Sequence, residues 1–224
     1  MRRSLPRTLK AAGLLLLCGA ALLPPARARA CGNAVSFEEE RVNIVLAADK
    51  WLREGRPKAT AELLLQHYPS IKTLQTKEKL VLRARRIVAL SIVRTDGLLP
   101  IPAFAASTND DRRKNLEWAI QALRDSNADA PDTPVILAAL GEALATLPEH
   151  LQEAYDILAR LAARDVLPSA HGYRTLAYLR KLAGDPEGEQ AALARADILV
   201  KSPPPAESFP KPRRNAYTRF RGRW

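Results

Sequence analysis

Glycine and proline divide most of this chain into segments of helical composition. Alanine and leucine dominate residues 36–200, with arginine and glutamate between them, and all four residue types favour helix. Apolar side chains recur every three or four positions, as Ile87 and Leu90 do, and no segment shows the alternation of a half-buried strand. The pattern predicts an all-α fold for residues 36–200.

Turn signals group the predicted helices into four pairs. Gly55 separates the first pair, Leu147-Pro148 the third and Gly184-Asp185 the fourth, whereas a longer loop separates the second. The expected pairs are 38–54 with 57–68, 76–95 with 111–126, 133–146 with 149–164, and 170–183 with 187–200. Three prolines stand where a first helical turn would begin: Pro57, Pro134 and Pro186. One hairpin of this size cannot bury its own apolar face, so we expect the hairpins to stack.

The third pair carries a known repeat pattern. Its first helix has bulky residues at Leu137, Leu140 and Leu144, with a small residue, Gly141, after the second of them. The pattern expected of a second helix occurs in the pair before it, at Ala119, Leu123 and Pro131. On these residues the chain resembles the tetratricopeptide-repeat family over roughly residues 36–200, although Arg85 and Arg180 stand where that family has bulky residues. The resemblance implies a right-handed α–α superhelix of about four hairpins that binds another protein or peptide.

Small residues are expected where paired helices approach closely. Gly141, Ala48, Ala154 and Ala177 fall at such positions of the repeat pattern. A larger side chain at any of them would overpack the contact.

The resemblance also implies a concave groove lined by the first helix of each pair. The implied cations are Arg83, Arg86, Arg174 and Lys181, joined by His171 and Tyr178, and arginine suits the carboxylate of an acidic or C-terminal peptide. The alternative is that these arginines are ordinary solvent-facing residues. The full set of implied groove positions is Val42, Val45, Asp49, Leu52, Arg83, Arg86, Leu90, Val93, Val135, Ala138, Glu142, Ala145, His171, Arg174, Tyr178 and Lys181.

The loop between the second pair of helices is apolar for a connection. Residues 97–110 include Leu98, Leu99, Ile101 and Phe104. A loop of this length and composition either forms a ligand site or folds back over an open edge of its hairpin.

Residues 1–30 have the three parts of a secretory signal peptide. A basic start precedes a short apolar run, and Ala28 and Ala30 occupy the small-residue positions before the expected cleavage. The protein is therefore predicted to be exported to the periplasm or beyond, with residues 31–35 as a linker. Cys31 follows the cleavage position directly, so lipidation of its thiol, membrane anchoring and outer-membrane association are the alternative.

The formal net charge of +11 belongs to the ends of the chain. Residues 1–30 hold six basic side chains and no acid, and residues 201–224 hold seven basic side chains and one acid, so residues 31–200 are close to neutral. The proline-rich, basic segment 201–224 is predicted to be a disordered tail. The first reading of this tail is a solvated segment. The alternative is that it binds an anionic surface or the acidic groove of a partner, whereas nucleic acid is not expected for an exported protein.

No catalytic or cofactor motif is found in the sequence. His67, His150 and His171 form no metal-binding spacing, and neither a phosphate-binding loop, a dinucleotide fingerprint nor a GxSxG sequence is present. The leading hypothesis is an exported, non-catalytic scaffold or adaptor that uses no cofactor or metal. The alternatives are a lipid-anchored periplasmic assembly factor and an enzyme with an unrecognised site.

Overall fold

The computed structural model describes residues 31–201, and the side chains from Phe37 onward. Within that range the protein is helical, with eight α-helices, two short 3₁₀ segments at Pro102–Phe104 and Pro148–His150, and no strand. The helices are α1 Cys31–Arg53, α2 Pro57–His67, α3 Lys79–Arg94, α4 Asn109–Asp129, α5 Pro134–Leu144, α6 Leu151–Ala163, α7 Ala170–Leu182 and α8 Pro186–Lys201. The prediction of an all-α fold is confirmed for this part of the chain.

The chain divides into two compact units between Glu39 and Glu40. Of the first unit, the structure describes residues 31–39, which are helical, and Phe37 there is exposed. Residues 31–35, the predicted linker, are helical and belong to the beginning of α1. All packing considered below lies within the unit that begins at Glu40.

The four helical pairs follow the turn chemistry in the sequence. The helices begin and end within about three residues of the expected positions from Arg53 onward. Pro57, Pro134 and Pro186 are each the first residue of a helix, as predicted. Gly55 and Gly184 have φ of 77° and 74°, the left-handed region that glycine enters without a steric penalty.

The first helices of successive pairs contact one another as well as their own partners. The pairs α3–α4, α5–α6 and α7–α8 each pack together, while α3 also contacts α5, and α5 also contacts α7. Small residues stand at the close approaches, as predicted: Ala48, Ala154 and Gly141 are buried, and a Cβ on Gly141 would lie 2.7 Å from Cγ of Leu158. The first helices therefore form one layer, in which side chains from different hairpins contact one another.

The connection between α3 and α4 folds back onto its own hairpin. Leu99, Ile101 and Phe104 are buried, and the amide of Asn115 donates to the carbonyl oxygens of Gly97 and Phe104 at 3.1 and 2.8 Å. The second expectation for this loop is confirmed, because three of its apolar side chains enter the core, while Leu98 stays exposed.

Candidate functional site

Polar side chains join the first helices to one another. Arg83 of α3 pairs with Asp49 of α1, with 3.0 Å between Nη2 and Oδ2. At the other end of α3, Arg94 donates from Nη1 to the carbonyl oxygen of Leu52 at 3.1 Å and from Nη2 to Oε2 of Glu142 at 3.2 Å. The layer is thus linked by ion pairs between hairpins as well as by apolar packing.

Glu142 of α5 is the centre of this network. Its side chain is 4% exposed, and that of Arg94 is 10% exposed. Its second oxygen, Oε1, accepts a hydrogen bond of 2.5 Å from the hydroxyl of Ser169. Ser169 also caps α7 by accepting from the backbone N–H of Gly172 at 2.8 Å. The carboxylate therefore connects the end of α3 with the beginning of α7.

A cavity of about 330 Å³ opens beside this network. It lies between the C-terminal turns of α3 and α5 and the exposed face of α7, and its volume falls at the lower end of the range for ligand sites. Its lining residues are Val93, Arg94, Glu142, Ala145, Thr146, His171, Arg174, Thr175 and Tyr178. Each of three successive first helices contributes to the lining, as the groove hypothesis requires of a ligand site.

Positive charge dominates the cavity lining. Arg174 is exposed, and within residues 31–201 its guanidinium forms no hydrogen bond or ion pair. His171 is half-buried beside it; burial, Arg94 and Arg174 lower the pKa of this imidazole below its ordinary value, while Glu142 acts in the opposite direction. An anionic ligand would meet an unpaired guanidinium and a neutral imidazole.

The predicted site residues divide into two groups. His171, Arg174 and Tyr178 line the cavity together, and the side chain of Tyr178 is half exposed. Arg83 and Arg86 do not line it; both are buried, at 8% exposed, within the helix layer.

Lys181 lies outside the cavity. Lys181 is exposed on α7, and its Nζ lies 4.0 Å from Oε1 of Glu189 in α8. Cys31 is the first residue of α1, and the predicted signal peptide and the tail beyond Lys201 lie outside the described residues.

Arg94, Thr146 and Thr175 line the cavity without having been predicted. Arg94 follows Val93, which was a predicted groove position, and it stands in the last turn of α3. A basic residue in the last turn of a helix interacts favourably with the helix dipole, which is enough to account for an arginine at this position. The sequence therefore gives no sign that Arg94 contacts Glu142.

A second cavity, of about 280 Å³, lies among α6, α7 and α8. Asp165 and Arg195 pair with each other at its edge, so their charges are already satisfied. Within residues 31–201, no three His, Cys, Asp or Glu side chains lie together as metal ligands would. None of the helices there combines the length and apolar composition of a bilayer-spanning segment.

The described residues define a protein of stacked α-helical pairs with a polar cavity in the layer of first helices. No protein-family model matches the chain, and no curated protein or solved structure is significantly similar to it. The tetratricopeptide resemblance therefore remains a prediction based on its motif residues.

Proposed function

We propose that this chain is an exported, non-catalytic scaffold that binds a peptide segment of another protein along its first helices. In this proposal the four pairs form a right-handed superhelix of the tetratricopeptide type, and the segment is acidic or ends in a free carboxylate. The observation that carries the proposal is the cavity shared by α3, α5 and α7, where Arg174 has no ion-pair partner among residues 31–201.

The packing of the helices supports the scaffold part of the proposal. In α-helical repeats each pair contacts its neighbours, and the first helices together present a binding surface. The contacts of α3 with α5 and of α5 with α7 have this order. The close approach at Gly141 also agrees with its place in the repeat motif.

The chemistry of the cavity supports a peptide as its occupant. Val93 and Ala145 offer apolar contact, Thr175 and Tyr178 bring hydroxyl groups, and Arg174 brings a planar group that binds carboxylate through two hydrogen bonds. Tyrosine and arginine are the residues that most often dominate protein–protein binding energies. Lys181, one turn beyond Tyr178, extends the basic face of α7.

Binding of short synthetic peptides to the purified protein tests this function. The probes are fluorescent peptides of mixed sequence with free C termini, acidic or neutral, and the readout is fluorescence anisotropy. We expect Arg174→Glu to weaken the best acidic probe by at least about tenfold, which corresponds to about 1.4 kcal/mol, because a carboxylate then faces a carboxylate.

Arg160→Glu is the matched control, since Arg160 is an exposed arginine of α6 that does not line the cavity. Circular dichroism establishes that both variants keep their helix content. Equal affinity of wild type and Arg174→Glu for every probe, or the absence of any bound probe, would contradict the proposed function.

A further inference from the structure

The charges that line the cavity do not balance. Arg94 and Arg174 each carry one positive charge, whereas Glu142 is the one carboxylate in the lining. That carboxylate is already engaged by Arg94 at 3.2 Å and by Ser169 at 2.5 Å. One positive charge, on Arg174, is therefore left for a ligand, which fits a single anionic group better than a doubly charged one.

The end of α7 that borders the cavity also favours an anion. His171 is the second residue of α7, and a helix N-terminus carries a partial positive charge that attracts anions. The guanidinium of Arg174 and the helix end belong to different groups, and both favour an anionic ligand.

His171 responds electrostatically to whatever enters the cavity. The charged groups that face it are Arg94 from α3, Glu142 from α5 and Arg174 from its own helix. With the cavity open, burial and the two arginines keep its pKa low, so the imidazole is neutral near pH 7. A carboxylate beside Arg174 would offset that guanidinium and favour the imidazolium.

We infer that the cavity binds one carboxylate group between Arg174 and His171 and takes up a proton on His171 when it does so. The inference rests on the proposed function and deepens it, because it names the recognised group and makes recognition dependent on pH. The sign follows from linkage: the bound state holds more protons, so carboxylate binding becomes tighter as the pH falls. The carboxylate belongs either to a peptide C-terminus or to an acidic side chain.

An NMR titration of the histidine resonances of the purified protein tests this inference. The pKa of His171 is measured in acetate and in chloride at equal ionic strength, with His67 and His150, which do not line the cavity, as internal controls. We expect acetate to raise the pKa of His171 and to leave the other two unchanged. Acetate should bind more tightly at about pH 6 than at about pH 8, with a limiting gain of about tenfold for each unit by which acetate raises the pKa of His171.

Arg174→Gln separates this effect from a general effect of the anion. The variant should lose the acetate-dependent rise, whereas Arg160→Gln should keep it, and circular dichroism checks the fold of both. Two further ligands then distinguish a peptide C-terminus from an acidic side chain. N-acetylleucine has an α-carboxylate, and N-acetylglutamate α-amide has only a side-chain carboxylate. The one that raises the pKa of His171 more identifies the carboxylate that the cavity recognises.

The same pKa of His171 in acetate and chloride would overturn the inference. A rise that persists in Arg174→Gln would overturn it as well. Either result is compatible with peptide binding that depends on Arg174, so the proposed function would stand. Conversely, an acetate effect on His171 in a protein that binds no peptide would remove the proposed function and retain the carboxylate site.

Discussion

Gly141 sets the distance between α5 and α6. Leu158 fills the space where a side chain at position 141 would begin, with Cγ 2.7 Å and Cδ2 2.8 Å from an added Cβ. Leu158 is fully buried, so it has little room to move away. The absence of one methyl group therefore allows the close contact within the third helical pair.

Gly141→Ala is expected to lower the free energy of unfolding by about 1–2 kcal/mol. Overpacking typically costs about 1–3 kcal/mol, and the higher helix propensity of alanine returns about 0.5–1 kcal/mol. Urea unfolding followed by circular dichroism measures the difference. In a Leu158→Ala background the same substitution should be neutral or stabilising, and an unchanged cost there would show that Leu158 is not the cause.

At the level of single residues, the sequence predicts apolar packing better than the placement of charges. Gly141 is recognisable because a glycine inside a helical segment weakens it unless close packing requires one. The burial of Arg83 is not recognisable, because its partner Asp49 lies 34 residues away and on another hairpin. That Arg174 and His171 share one face of α7 is predictable, because they lie three residues apart in one helix and local periodicity is sufficient.

The link between α3, α5 and α7 depends on a buried carboxylate. Removal of one partner from a buried ion pair leaves the other charge uncompensated in a poorly solvated place. Glu142→Ala would remove the carboxylate that pairs with the guanidinium of Arg94 and accepts the hydrogen bond from the hydroxyl of Ser169. Loss of one partner from this buried ion pair should therefore lower the free energy of unfolding more than loss of one partner from an exposed pair.

We expect Glu142→Ala to lower the free energy of unfolding by about 3 kcal/mol. The control is Glu153→Ala, which breaks the exposed Arg124–Glu153 pair and should cost at most about 1 kcal/mol. Chemical denaturation of both variants gives the comparison. Similar losses in the two variants would mean that Glu142 is not an electrostatic link between hairpins.

The helices themselves are largely predictable because their signals are local. Proline at the first position begins α2, α5 and α8, and glycine soon follows the ends of α1 and α7. The beginning of α1 is not predicted, because Ser36 and the acidic residues after it indicate a helix that starts there. The helix nevertheless continues toward the N-terminus, since adding residues to an existing helix costs less free energy than nucleating one. The capping box of Thr108 and Asp111, which begins α4 at Asn109, is likewise a local signal.

The maturation of the whole molecule remains a prediction from residues 1–30. Export implies removal of that segment, and the cut expected after Ala30 leaves Cys31 as the first residue. We expect intact mass spectrometry of the protein recovered from the envelope to show an unmodified N-terminal cysteine. A mass that includes a diacylglyceryl group would favour the lipid-anchored alternative, and a retained residue 1–30 segment would contradict export.

At the scale of the whole molecule, the sequence predicts the pairing of helices but not the cavity. Pairing follows from short connections between neighbouring helices. The cavity depends on the register of three hairpins, which is set by contacts such as Arg94 with Glu142, 48 residues apart. No local pattern contains that information, so the unpredicted lining residues are those whose role is decided by another hairpin.

The ionic links between first helices also make the hairpins unequal modules. In an array of identical repeats, any unit could be exchanged for its neighbour, and evolution could lengthen the array by duplication. Here the second hairpin supplies the guanidinium that the third requires, and the third supplies the carboxylate that holds the cap of the fourth. A third hairpin moved to another place in the array would bring the carboxylate of Glu142 to a neighbour that lacks Arg94. The order of the four hairpins is therefore part of the information that the sequence encodes.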